Sequence, residues 1–214
     1  DILSGRFESK PALAVTVVYS GGDDVFLLGA WNDVVEAALR IRQAFTAFSC
    51  GALTISAGLA LVDDHYPVRL SAAASGDLED LAKQEPDKDA VCLFESAHCY
   101  GWNTFTGRVL GEKKAALEAF FGARGQERGT AFLYRTLDLL RTAQDPKDGK
   151  LQLARYAYLL ARLEPPRTSP AFGAYRTFAD KMYRWALNKT DRAELITAIY
   201  LHVYENREGD TDGI

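Results

Sequence analysis

The chain has 214 residues, 48% hydrophobic and 25% charged, with a formal net charge of −4. That is ordinary for a soluble globular protein and is enough for one large domain or two small ones. No run of about 18 apolar residues occurs, which excludes a membrane-spanning helix.

The opening Asp1-Ile2-Leu3-Ser4-Gly5-Arg6-Phe7 has neither an initiator Met nor a signal-peptide pattern, and reads as a fragment of a larger protein. Two apolar runs follow, Leu13–Val18 and Val25–Leu28, each short and branched enough for a strand. Between them lies Tyr19-Ser20-Gly21-Gly22-Asp23-Asp24, which predicts a hairpin tip. Glycine permits the positive φ that tight hairpin turns need. The tip presents two adjacent carboxylates, suited to a hard cation such as Mg²⁺ and through it to a triphosphate. Gly and Asp are also the commonest residues of plain polar turns.

A helix is expected from Trp31-Asn32-Asp33, with Asp33 as N-cap and Glu36 three residues on, close to a capping box. Val34, Ala38, Ile41, Phe45 and Phe48 follow helical spacing, and Gly51 follows the helix end. Leu53–Val62 reads as a long strand whose interior Gly58 marks a bulge or a close backbone approach. A second, alanine-rich helix is expected from about Pro67 to Lys83, with Leu70, Ala73, Ala74, Leu78 and Leu81 facing a sheet. Ala90–Phe94 is a further strand. The order strand, strand, helix, strand, helix, strand fits most of an α/β ferredoxin-like palm.

Beyond about Trp102 the pattern is helical, with helices expected at about 102–121, 130–144, 150–164, 171–187 and 191–206. Leu133, Leu137 and Leu140 form one apolar stripe; Leu153, Tyr156, Ala157, Leu160 and Leu163 form another. The predicted domains are therefore 1–105, an α/β palm, and 106–214, an all-α helical bundle with a frayed tail from Glu208. Charge divides the same way. Residues 1–105 hold 7 Lys+Arg and 15 Asp+Glu, whereas residues 106–214 hold 18 and 14. A basic second half suits contact with RNA or an acidic partner, for which Arg135, Arg141, Arg155, Arg162 and Arg184 are candidates. The three cysteines, Cys50, Cys92 and Cys99, are odd in number and irregularly spaced. This argues against a disulfide framework or zinc knuckle, and for a reducing, cytoplasmic compartment.

The motif Val18–Trp31, the run Leu53–Asp63 with Tyr66-Pro67-Val68, and Leu81-Ala82-Lys83 together resemble the second palm domain of the large subunit of type III CRISPR effector complexes, III-A branch. Gly129–Arg135 and Leu153–Arg162 resemble that subunit's C-terminal helical domain, so the similarity covers essentially the whole chain. The resemblance implies synthesis of cyclic oligoadenylates from ATP, switched on by target RNA. It implies Asp23 and Asp24 as catalytic metal ligands for Mg²⁺ or Mn²⁺. Ser20, Gly21, Gly22 and Lys83 would be nucleotide-binding residues. It also implies crRNA and target RNA as partners, along with neighbouring effector subunits, the first palm of the same subunit, and no membrane. The palm's first strand, the other palm that completes the composite pocket and the family's histidine-aspartate nuclease domain have no counterpart here, so the fragment alone is expected to hold half a site. Two other readings share features. A diguanylate-cyclase-like enzyme shares the hairpin, although Val25 replaces the acidic residue usual after Asp24. A non-catalytic scaffold subunit of a ribonucleoprotein would use the helical half alone.

Overall fold

In the computed structural model, which describes residues 12–122, 127–143 and 149–207, the chain forms two compact units, Asp1–Trp102 and Asn103–Ile214. The opening segment 1–11 and the tail after Arg207 lie outside the described residues.

The first unit begins with the expected hairpin. Strand β1 (Val15–Gly21) pairs antiparallel with β2 (Asp24–Gly29), and a register shift between Val17 and Tyr19 marks a bulge. Helix α1 (Trp31–Phe48) starts before Asp33, so the N-cap is Ala30, with no side-chain cap. Asp33 serves differently: its Oδ2 accepts the Ala14 amide at 2.8 Å, tying the first turn of α1 to the entry of β1. The buried side of α1 is Val35, Ala37 and Arg40, while Phe48 is 90% exposed. A wide apolar stripe left the facing angle open, and packing chose a neighbouring line. Cys50 and Gly51 both take positive φ after the helix, where the glycine was expected.

The strand expected over 53–62 contracts to β3 (Ala57–Leu59). Its entry is held by side chains instead of a ladder. Thr54 Oγ1 donates to the Asp87 carbonyl and Ser56 Oγ to that of Lys88, each at 2.8 Å. Helix α2 (Val68–Ala82) buries Ser71, Leu78 and Ala82, whereas Leu70 and Ala73 face outward. Strand β4 (Ala90–Leu93) pairs parallel with β3, as a helical crossover requires, and antiparallel with the short β5 (Cys99–Gly101). Leu78, Ala82, Ala90 and Cys92 form the core between helix and sheet. There burial pushes the Cys92 thiol up to about 12.

Gly58 realises the close approach. A Cβ there would lie 2.1 Å from the Ser75 carbonyl oxygen and 2.3 Å from the Glu79 amide nitrogen, both α2 backbone atoms. Backbone cannot rotate aside. Gly58→Ala is expected to destabilise this unit by about 3 kcal/mol, the upper end for overpacking. A urea midpoint unchanged from wild type would contradict this.

The second unit is helical, as expected. After α3 (Trp102–Thr104), a ten-residue π-helix spans Phe105–Lys114 and leads into α4 (Ala115–Phe121). Helices α5 (Glu127–Thr142), α6 (Gly149–Ala161), α7 (Phe172–Leu187) and α8 (Lys189–Arg207) follow. Both apolar stripes point inward: Leu133, Leu137, Leu140, Tyr156 and Leu160 are buried. Phe120 and Phe178 stack at 3.8 Å between centroids. Asn188 Oδ1 accepts the amides of Thr190 and Asp191, capping α8. Buried Arg192 donates Nε to the Ala186 carbonyl at 2.8 Å and Nη1 to that of Ala143 at 2.7 Å, closing two helix ends.

His202 on α8 is 6% exposed, and among the described residues its buried Nδ1 has no hydrogen-bond partner. Burial lowers its pKa, Glu118 opposes that shift and Lys114 adds to it. The folded state therefore takes up the proton later than the unfolded state. Stability should fall as pH drops below about 6.5, then level off below the folded pKa. Urea midpoints between about pH 7.5 and 5.5 would read this, and His202→Gln should flatten the profile.

Candidate nucleotide and metal site on the palm hairpin

The site residues converge at the hairpin end because the register pairs Gly21 with Asp24, leaving Gly22 and Asp23 as a two-residue loop. Gly22 has φ +64° and Asp23 does not take a positive φ. Glycine at the first central position is the requirement of a type II′ turn, whose twist matches the strands. No heavy atom lies within 4 Å of where a Gly22 Cβ would stand, so its approach side is open. Gly21 is covered: a Cβ there would meet the Tyr19 hydroxyl at 2.8 Å.

Ser20, Asp23 and Asp24 are all exposed. Both carboxylates follow directly in sequence and project from the loop and the first residue of β2. Among the described residues no group of three His, Cys, Asp or Glu is placed to hold a metal ion. Two exposed carboxylates alone still suit Mg²⁺, which keeps several waters and takes one or two carboxylates plus substrate phosphates.

Lys83 follows the last residue of α2, and its Nζ lies 2.7 Å from Glu79 Oε1, one turn back. Its pKa is raised, first by that hydrogen bond and among other charges by Asp24. The structure thus brings Lys83 into electrostatic reach of the hairpin while Glu79 holds its ammonium. The sequence reading missed Glu79 as that partner, although the i, i+4 spacing is a visible signal. It also took Asp33 for a helix cap, whereas the Asp33 carboxylate anchors the hairpin base through the Ala14 amide. Val17, Val18, Tyr19 and Val25 are each about half exposed, so the hairpin carries apolar surface beside its charged tip.

Comparison with known proteins agrees with this architecture. Residues 6–92 match the family described as Cas10/Cmr2, second palm domain. Residues 118–208 match the CRISPR RNA silencing complex Cmr2 subunit, second helical domain. A carboxylate-tipped palm followed by that helical domain defines the class. More narrowly, the chain belongs to the Cas10/Csm1 family of subtype III-A CRISPR systems. It is 37% identical over 210 residues to the Mycobacterium tuberculosis relative, covering 98% of this chain and 25% of that protein. It is 40% identical over 196 residues to the Enterococcus italicus relative, covering 92% and 24%. It is 35% identical over 195 residues to that of Streptococcus thermophilus, covering 91% and 25%. Each of those proteins is named a CRISPR system single-strand-specific deoxyribonuclease. The chain spans about a quarter of the length of these relatives.

Proposed function

We propose that this chain supplies the metal-binding palm of a nucleotidyltransferase that joins ATP into cyclic oligoadenylates when the intact subunit's effector complex binds target RNA. The observation that carries the reading is the Asp23–Asp24 pair at an open glycine turn, in a chain whose family is a palm-bearing CRISPR subunit.

In this reading Asp23 and Asp24 would hold Mg²⁺ or Mn²⁺, which would neutralise triphosphate charge as a ribose 3′-hydroxyl loses its proton and bonds to the α-phosphate, the α–β phosphoanhydride bond breaks and pyrophosphate leaves. The chain's own residues do the rest. Gly22 leaves its backbone open to a nucleotide. Ser20 offers a hydroxyl to ribose or phosphate from the adjoining strand position. Lys83 supplies a cation to the phosphates by exchanging its Glu79 partner for them. Gly21 keeps Tyr19 close over the strand end. The partners in this reading are crRNA, target RNA, the first palm of the same subunit and neighbouring effector subunits.

The test uses the full-length subunit assembled with guide RNA and matching target RNA, incubated with radiolabelled ATP and Mg²⁺, with products resolved by mass. Adenylate rings are expected. A product from GTP alone would move the assignment to a diguanylate-type cyclase. No product from either nucleotide would leave a scaffold.

A further inference from the structure

The sequence singled out five arginines of the second half, and the structure separates them. Arg141 lies over the Tyr200 ring at 5.3 Å, and Arg184 pairs with Asp180 at 3.0 Å. Arg155 and Arg162 are exposed, and among the described residues neither has an ion-pair partner. Helix α6 contains no Asp or Glu. Its buried side is Gln152, Tyr156 and Leu160, and Tyr158 on the outer side is 69% exposed. The spacing 155, 158, 162 places guanidinium, phenol and guanidinium on one helix face. The long 3.4 Å hydrogen bond from Arg155 Nη1 to Gln152 Oε1 does not neutralise that charge.

A recess lies just past the C-terminal end of this helix in the chain. Tyr175 Oη donates to the Leu160 carbonyl at 3.1 Å, fixing the start of α7 against the end of α6. Beside this junction an open recess of about 480 Å³ is lined by Arg167 and Arg176, with Phe172 and one acid, Glu164. Neither arginine has an ion-pair partner among the described residues. The recess therefore carries two guanidiniums against one carboxylate.

We propose that the outer face of α6 with the turn that follows it, from Arg155 and Tyr158 on the helix to Arg162 and the Arg167–Arg176 recess, is a track for single-stranded RNA. Guanidiniums bind phosphates in a bidentate fork. The interleaved exposed Tyr158 gives a base a stacking platform, which an acidic peptide would not need. Glu164 beside the two arginines suits a nucleotide, accepting from a ribose hydroxyl or a base N–H while the arginines take phosphate. A polycarboxylate has no hydroxyl or base N–H to offer Glu164, so it would use only the arginines.

The test titrates the 214-residue chain into a fluorescein-labelled oligouridine of about 12 nucleotides, followed by anisotropy at about 50 and 200 mM salt. The triple substitution Arg155→Glu, Arg162→Glu, Arg167→Glu should weaken binding at least about ten-fold. It should also make the log–log salt slope shallower by about 2, at roughly 0.7 per lost phosphate contact. Tyr158→Ala should cost about five-fold or more. Arg184→Glu, outside the track, should stay within about two-fold. If the glutamate triple loses its helical circular dichroism, the glutamine triple takes its place. The inference is overturned if the wild-type chain does not bind, if the triple and Arg184→Glu weaken binding equally, or if polyglutamate competes as well as RNA. Asp23→Ala with Asp24→Ala should bind this RNA as wild type, so the fate of the palm reading is read separately.

Discussion

An intact subunit carrying alanine at both Asp23 and Asp24 is expected to convert ATP about 1,000-fold more slowly than wild type. Metal-ion stabilisation of a phosphoryl transition state is worth several kcal/mol, and each 1.36 kcal/mol is about ten-fold in rate. Either single alanine should come close to the double, because residues that hold one ion act as a unit and their losses do not add. Asp→Asn at both positions keeps the shape of the turn and removes only the charge, so it should fail to the same extent. Both side chains are exposed at the hairpin tip. Melting temperature should therefore move little, as surface changes usually stay within about 0.5 kcal/mol. Target-RNA binding should also persist. Normal product formation by the double variant would place the metal elsewhere. Loss of folding together with activity would give the turn a structural role instead.

Glu194→Ala is expected to destabilise the helical unit by about 3–5 kcal/mol, the range for breaking a buried ion pair from one side. Glu194 is 1% exposed and Lys113 fully buried, with 2.7 Å between Lys113 Nζ and Glu194 Oε2. Arg108 Nε donates to both oxygens of Glu194 at 2.9 Å. Lys113 also lies 3.1 Å from Asp191 Oδ1, 3.2 Å from Glu112 Oε2 and 5.0 Å above the Trp185 ring. Removing Glu194 leaves the buried ammonium with only its weaker partners. Replacing both members, Lys113→Met with Glu194→Leu, should recover most of the loss, since an apolar pair needs no desolvation. Urea unfolding of the four members of this cycle measures the coupling. A coupling near zero would show that Asp191 and Glu112 already satisfy Lys113.

Much of this fold was legible because periodicity and turn chemistry act locally. Val15–Gly21 and Asp24–Gly29 carry short branched and aromatic runs on either side of a turn that only glycine makes easily, and the hairpin follows. The leucine stripes of α5 and the Tyr156–Leu160 stripe of α6 likewise specify their buried sides. What escaped depends on partners distant in sequence. Asp33 looks like a cap until Ala14, 19 residues away, claims its carboxylate. Leu53–Val62 looks like a long strand, but β4 offers only four residues. At the candidate site, Ser20 to Asp24 could be named from the motif, whereas the influence of the Asp24 charge on Lys83 depends on tertiary packing. The π-helix leaves no composition signal at all.

That π-helix has a consequence for how the gene can change. Hydrogen bonds five residues apart bring Arg108 and Lys113 onto one side, where both reach α8. An α-helix repeats every 3.6 residues and would turn these two positions well away from each other. The stretch is thus constrained in length more than in lettering. Exposed Gly107, with no heavy atom within 4 Å of where a Cβ would stand, has room for other side chains. Loss of a single codon between Phe105 and Lys114 would let the coil relax to the commoner winding and put one of the two cations out of phase with its acids.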